Sequence, residues 1–368
     1  MEFAMRISGL LILSVLIITI TAAYPAYAAL TVDVTFDQST PEGVILQNDL
    51  SALVETEIAN ELSKYSNVPK LAKGFGNASA YASHASTLRG YQGYDLFAIS
   101  AGSMVSIQAP NGDPMFFQDL SDDIDNGDIY AGVGVTPVVV QAGLNLGFII
   151  DGLYLSFMYG KYSADIDQGD YKIDHDENLI GFDITYQLLS DRSILAGLLV
   201  WRGLSINTGA IHYKNTTTFY NKMDKINNSQ AVTGATVDYT IDPSVNFEIA
   251  TEGNVIPVEI YTAVRIFYIL NIGAGGGFDY VVNGKTTIEL KSAGDVLITN
   301  STPVVSGFIG QTGKITVNAD TSGIKSDRYR PKLLANIGLG IGPVFIDVPV
   351  TYYLDNGYSV GITAGCVW

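Results

Sequence analysis

The sequence predicts an all-β fold, an antiparallel transmembrane β-barrel of about 12–14 strands with a small helical N-terminal segment. Three observations carry this. The 368 residues are 47% hydrophobic yet only 15% charged, with 38 Gly, 22 Tyr and 15 Phe. Beyond residue 28 the chain has no run of eighteen apolar residues, so nothing in it spells a membrane helix. Instead, strict alternation of apolar with small or polar residues recurs in segments of about 9–11 residues, the length that crosses a bilayer at a tilt.

Composition narrows the function. With 20 Lys and Arg against 37 Asp and Glu, the net charge of −17 offers no basic stripe for a phosphate backbone, which excludes nucleic acid as a partner. A single Cys excludes an internal disulfide framework and a thiolate metal site. No glycine-rich phosphate loop, metalloprotease helix or nucleophile elbow is present, so neither an enzyme nor a bound cofactor is expected.

Met1 to Ala28 reads as a secretory signal peptide. Arg6 precedes an apolar run over Ile7–Ala23, Tyr24-Pro25 breaks it, and Ala26-Tyr27-Ala28 supplies the small-x-small cleavage pattern. The exported chain then divides into an N-terminal segment, 29–92, and a barrel, 93–368. In the N-terminal segment, Leu50, Leu53, Val54, Ile58, Leu62 and Tyr65 share one face of a helix over Asp49–Tyr65, with Asn48 or Asp49 as its cap. Lys70–Thr87 follows, rich in Gly, Ala and Ser, which lets a helix pass through a narrow space. These features suit a plug inside the barrel.

The first barrel strand is expected over about Tyr94–Ile107. Further strands place Ala142, Leu144, Leu146 and Phe148 on one face. Leu153, Leu155, Phe157 and Tyr159 follow, then Ile180, Phe182, Ile184 and Tyr186, then Ile256 to Tyr268 by twos. Three more end the chain, with Leu333 to Ile341, Val344 to Tyr352, and Tyr358 to Trp368 alternating in the same way. A soluble antiparallel sandwich also alternates. Against it stand aromatics near strand ends (Tyr159, Tyr186, Tyr268, Tyr352, Trp368), where barrels keep interfacial girdles. Short connections at Asp151-Gly152, Ser190–Arg192, near Leu270 and at Gly342-Pro343 alternate with long ones at Asn111–Asp128, Ala164–Tyr171, Lys214–Ala231 and Asn283–Arg328. Membrane lipids and lipopolysaccharide are the expected surroundings, in a bacterial outer membrane. The terminal strand ending at Trp368 resembles the signal read by outer-membrane assembly machinery.

Parity marks lumen charges. Glu259, Arg265, Asp183, Asp279 and Asp347 face inward, and buried charges need partners, so Arg265 is expected to pair with one of these carboxylates or with the plug. Gly273, Gly275 and Gly277 share one strand face and thin the lumen wall. His84, His175 and His212 lack ligand spacing. Two near-copies, Asp123, Asp125 and Asp128 and then Asp165, Asp167 and Asp170, are either solvated acidic turns or a calcium site.

The stretch Gly74-Phe75-Gly76-Asn77-Ala78 through Ala85-Ser86-Thr87-Leu88 resembles the region before the first strand of the FadL family of outer-membrane transporters. The chain departs from that family at Arg89-Gly90-Tyr91-Gln92-Gly93, where an Asn-Pro-Ala motif is usual. The resemblance implies passive uptake of a hydrophobic ligand such as a long-chain fatty acid, with exit through a gap in the wall. Gly132, Gly134 and Pro137 either supply such a gap or mark an ordinary strand entry. Leu50, Leu53, Val54, Ile58, Phe75, Phe267 and Phe345 are the candidate ligand contacts. A general diffusion porin and a surface adhesin acting through its outer loops are the alternatives.

Overall fold

The computed structural model describes residues 29–63, 68–109, 131–223 and 225–368. In chain order the elements are β1 (Ala29–Phe36), α1 (Pro41–Ser63), α2 (Val68–Ala82), β2 (Phe97–Gln108), β3 (Gly132–Asn145), β4 (Leu153–Asp167), β5 (Tyr171–Leu189) and the short β6 (Arg192–Ile194). Then come β7 (Leu199–Lys222), β8 (Ile226–Val232), β9 (Ala235–Ile266), β10 (Leu270–Thr302), β11 (Thr312–Lys325), β12 (Tyr329–Ile341), β13 (Val344–Tyr353) and β14 (Gly357–Val367). They form one antiparallel sheet of fourteen strands. It closes on itself through ten of them, in the order β2-β3-β4-β5-β7-β9-β10-β12-β13-β14 and back to β2.

The ring is therefore narrower than the expected 12–14 strands. The reason lies in the segments expected to be long loops. Lys214–Ala231 and Asn283–Arg328 are mostly strand, because β7, β9 and β10 run on far past the ring. Ala164–Tyr171 is the paired end of β4, a tight turn over 168–170 and the start of β5. The loop expected at 111–128 lies outside the described residues.

Within the ring the two faces are chemically inverted relative to a soluble protein. Every ring strand shows an exposed apolar side chain outward: Ile99, Val140, Phe157, Phe182, Ile206, Ile260, Ile272, Leu339, Ile346 and Ile362. Buried inward are Ser100, Gln141, Ser156, Thr185, Ser205, Glu259, Asn271, Asn336, Asp347 and Thr363. Such a surface is stable only against hydrocarbon. Aromatics mark its two rims, with Phe97 stacked on Trp368 at one and the pairs Phe278–Tyr329 and Tyr352–Tyr358 at the other. From Tyr358 to Trp368 the rise is about 33 Å along the strand, or about 25 Å of height at the usual barrel tilt.

The tight turns and Trp368 share one end, called here the near end. At the far end β9 and β10 continue for roughly twenty residues, about 65 Å along the strand, and β11, β1 and β8 join them there. In this projection the faces revert to ordinary chemistry. On β9 odd residues point inward throughout, but Glu259 and Tyr261 give way to Phe247, Ile249, Val237 and Tyr239. On β10 the change comes with a bulge. One extra residue enters between Val282 and Lys285, with Asn283 at φ 55°. Odd residues face in below it (Asn271, Asp279) and even ones above it (Thr286, Ile288, Leu290), since a one-residue slip exchanges the faces of a strand.

The N-terminal segment begins at the far end. Strand β1 pairs with β11 over Ala29↔Asp320 to Phe36↔Gly313. Helix α1 starts earlier than the sequence spacing suggests, because Thr40 caps it: its hydroxyl accepts the Gly43 N–H at 3.1 Å, and Pro41 takes the first helical position. Asp49 instead accepts the N–H of Thr233 at 2.7 Å. Leu46 and Leu50 sit in an apolar cluster with Val34, Phe36, Val237, Phe308 and Ile315. Helix α2 then descends inside the ring, touching β3 and β2 on one side and β9 and β10 on the other. Its small residues allow this: an added Cβ on Gly74 would meet the Ala131 backbone, and one on Gly134 would meet Ala78. The chain leaves the ring at the near end, where the Leu96 N–H donates to the carbonyl of Trp368 at 2.8 Å.

Candidate functional site: a charged lock inside the ring

Strand β10 presents glycine at inward positions 273, 275 and 277, and side chains from the strands on either side meet above them. Gly277 pairs with both Glu259 of β9 and Lys332 of β12. Lys332 Nζ lies 2.5 Å from Glu259 Oε1 and 2.6 Å from Asp279 Oδ1. Over Gly273 the hydroxyl of Tyr261 donates to Asn336 Oδ1 in the same way. A Cβ on either glycine would collide with these groups or with β9 backbone. The glycines thin the wall, as their spacing suggests, and in doing so they let two strands share charges across a third.

Residues after α2 complete the cluster. Arg89 grips Glu259 with two parallel bonds, Nε to Oε2 and Nη2 to Oε1, both 2.6 Å. His84 Nε2 is 3.2 Å from Asp279 Oδ2, which also accepts the Tyr353 hydroxyl at 2.9 Å. The side chains of Lys332, Glu259 and Asp279 are 0–2% exposed, so the charges neutralise one another out of contact with water. Arg89 and His84 tie the segment to the wall, whereas Lys332 joins wall strands β9, β10 and β12; the tie expected of Arg265 is not seen among the described residues. Arg265 has no ion pair among the described residues and its Nε is unpartnered. It lies six residues, about 20 Å of strand, from Glu259, beside Arg202, which already holds Asp191 at 2.9 Å.

Further bonds fix the rest of the segment. Tyr81 stacks on Tyr353 at 3.8 Å, lies under the guanidinium of Arg330 at 4.7 Å and donates to Gln108 at 2.7 Å. Tyr91 stacks on Phe345 at 3.9 Å and donates to Asp347 Oδ1 at 3.1 Å, where Asn336 Nδ2 also donates at 2.6 Å. His84, Glu259 and Asp279 bring ligand atoms within 4.8 Å of one another, a spacing that could hold a metal. Lys332 Nζ already occupies the cation position between the two carboxylates.

The other expected sites are dispersed. Phe75 packs with Leu71, Ile173, Phe219 and Ile288 inside the far part of the barrel. Leu50 is in the projection, Leu53 is exposed, Phe345 is under Tyr91, and Phe267 stands 67% exposed in the near-end turn between β9 and β10. These residues do not form one pocket. Val54 and Ile58 lie in α1, but their side chains fall outside the described set. Asp165, Asp167 and Asp170 sit at the β4–β5 tip, where Asp167 pairs with Lys172 at 2.5 Å; Asp123, Asp125 and Asp128 lie outside the described residues. Asp183 accepts from Gln141 at 3.3 Å and has no ion pair among the described residues.

Sequence reasoning missed Arg89, Lys332 and His84. The inward parity of Lys332 on β12 was visible, and Arg89 stands where the chain departs from the FadL-type pattern. Beside the lock a polar chamber of about 30 Å³ opens between the segment and the wall, lined among others by Ser86, Arg89, Gln141, Ser156, Asp183 and Asn207.

Gly132 and Gly134 serve the packing of α2, while Pro137 lies at an irregularity opposite β2, where pairing jumps from Gly102↔Val139 to Met104↔Thr136. On the other side of β3 the ladder with β4 runs only from Asn145↔Tyr154 to Val140↔Tyr159. Above that pair β3 continues to Gly132 and β4 to Asp167 without pairing to each other, β4 being held by β5 alone.

The fold is similar to those of several solved bacterial barrels. The translocator domain of the autotransporter NalP from Neisseria meningitidis is 10% identical, with 87% of this chain and 98% of that one covered and a TM-score of 0.30. The toluene transporter TbuX of Ralstonia pickettii is 8% identical, with 80% and 99% covered and a TM-score of 0.30. Acinetobacter baumannii CarO is 15% identical, with 60% and 96% covered and a TM-score of 0.26. No curated protein matches the sequence. The family profile described as Lsa36-like matches residues 26–368, and the chain belongs to that family.

Proposed function

We propose that this protein is an outer-membrane passage for small hydrophobic molecules, long-chain fatty acids among them, with the near end in the periplasm and segment 29–92 as its hatch. The observation that carries the reading is the parting of β3 from β4 above Val140↔Tyr159. Behind the parting lie Leu71 and Phe75 of α2, with Ala109, Ala131 and Ile173. A ligand of hydrocarbon character fits such a seam, because the outward face beside it already carries Val138, Val140, Phe157 and Tyr159. The chamber of about 30 Å³ is roughly a tenth of an ordinary ligand pocket. Movement of α2 and the following residues therefore accompanies transfer, and a permanently open diffusion pore is disfavoured.

The test is uptake of a fluorescent fatty acid by vesicles carrying the protein with Val138→Cys and Lys161→Cys, in a Cys366→Ser background. Uptake in the reduced protein that stops on oxidation supports the seam. Uptake equal in both states, or a large steady conductance for small ions, contradicts it.

The projection favours a second reading, attachment to external surfaces. Strands β8, β11 and β1, helix α1 and the far-end extensions of β9 and β10 stand beyond the apolar band, with Lys285, Lys291, Asn227 and Asn228 exposed. Loss of attachment on deleting β8 with uptake intact would favour it.

A further inference from the structure

The chamber beside the lock has a charge problem that the lock does not solve. Arg89 is committed to Glu259 through both of its bonds, and Lys332 bridges Glu259 and Asp279. Two cations thus face two carboxylates, and Asp183 is a third with no ion pair among the described residues. Its Oδ2 accepts from Gln141 Nε2 at 3.3 Å and the Asn207 side chain also hydrogen-bonds the carboxylate, while Oδ1 has no partner at ordinary hydrogen-bond distance. Gln141 is 2% exposed, and its Oε1 is likewise unpartnered while its Nε2 donates to Ser156 at 2.8 Å. Because the Gln141 amide nitrogen serves Ser156 and Asp183, the free atom is an oxygen. Thr185 donates to Asn207 Oδ1 at 2.9 Å, and the lining offers hydroxyl, amide and carboxylate oxygens, with His84 and Arg89 on the lock side already turned to Asp279 and Glu259.

We propose that this chamber seats one small hard cation of sodium size, held by Asp183 Oδ1 and Gln141 Oε1. Hydroxyl oxygens of the wall and of Ser86 and Thr87 complete its shell. Hard cations take oxygen ligands of this kind. The volume of about 30 Å³ admits one ion and one water. One positive charge balances Asp183, whose charged neighbours Arg89 and Lys332 are already bonded to Glu259 and Asp279. The ion would join wall strands β3, β4, β5 and β7 to the segment after α2, next to the Arg89–Glu259 pair. The inference rests on the chamber and not on the passage reading.

The experiment is urea unfolding of the full protein in detergent, in sodium chloride against choline chloride at equal ionic strength. Sodium at a hundred times its dissociation constant is expected to raise the folding constant about a hundredfold, saturably, and Asp183→Asn is expected to lose that response. Equal midpoints in the two salts, or a response retained by Asp183→Asn, overturn the proposal. Should Asp183→Asn fail to fold, crystals of the unaltered protein soaked in thallium(I) decide the matter. An anomalous peak between Asp183 and Gln141 supports the site. Its absence, with water alone in the chamber or an infrared band of a protonated Asp183, refutes it.

Discussion

Replacing Lys332 with Met is the sharpest test of the lock. The side chain is 0% exposed and its Nζ lies within 2.6 Å of both Glu259 and Asp279. Removal leaves Glu259 held by Arg89, but Asp279 keeps only His84 and the Tyr353 hydroxyl. Breaking a buried pair from one side costs about 3–5 kcal/mol, since the remaining charge is neither hydrated nor paired. That corresponds to about 10²–10⁴ in the unfolding constant. Equilibrium unfolding in urea, followed by the fluorescence of Trp201 and Trp368, reads the change. Adding Asp279→Asn to Lys332→Met removes the orphaned anion and should recover most of the loss. A loss under about 1 kcal/mol for Lys332→Met, or a double variant no more stable than the single one, would refute the reasoning.

Gly277→Ala places a Cβ against the carbonyl oxygen of Val258 and the Cα of Glu259, whereas Gly276 faces outward with 3.5 Å to its nearest neighbour. The first variant should lose about 1–3 kcal/mol and the second should stay within about 0.5 kcal/mol, both read by the same unfolding assay. Ile337 is 54% exposed on the apolar band. Ile337→Lys should cost about 2–4 kcal/mol of folding into vesicles, and equal stability there would contradict a lipid-facing position. Hydrogen bonds from Thr233, hydroxyl and then backbone N–H, hold the Asp49 carboxyl below its ordinary value of 3.8. A pKa lower in the folded state means that this support is complete above about pH 4 and fades as pH falls through the depressed value. Amide protection factors of α1 should therefore drop as pH falls below about 4, and Asp49→Asn should remove that dependence.

How much of this was legible follows from what period two can say. Alternation at Leu333–Ile341 and Tyr358–Trp368 shows that two faces meet different surroundings, and low charge with many aromatics shows that one of them is lipid. The same alternation continues through Phe247–Thr251 in the projection, where water is outside and the apolar set turns inward. A pattern that reads identically in both media does not mark where the bilayer ends, so the projecting strands read as loops and the ring as wider than it is. The bulge at Asn283 hides the register further, because one added residue exchanges the faces of β10. The lock was half legible. Inward carboxylates followed from parity on β9, β10 and β13, but their cations come from β12 and from an irregular stretch, His84 to Arg89, that has no period to place it. Arg265 had the correct parity and the wrong height along the strand.

The most direct test of the account is a nitroxide scan along β12 of the protein in lipid vesicles, with Cys366 replaced by Ser and one label at a time from Leu333 to Ile341. Labels at 333, 337, 339 and 341 should relax strongly with oxygen and weakly with a water-soluble nickel complex, while those at 334 and 336 should be shielded from both. Odd positions reached by the nickel complex, or no alternation between neighbours, would contradict a wall with hydrocarbon on one side and a filled polar interior on the other.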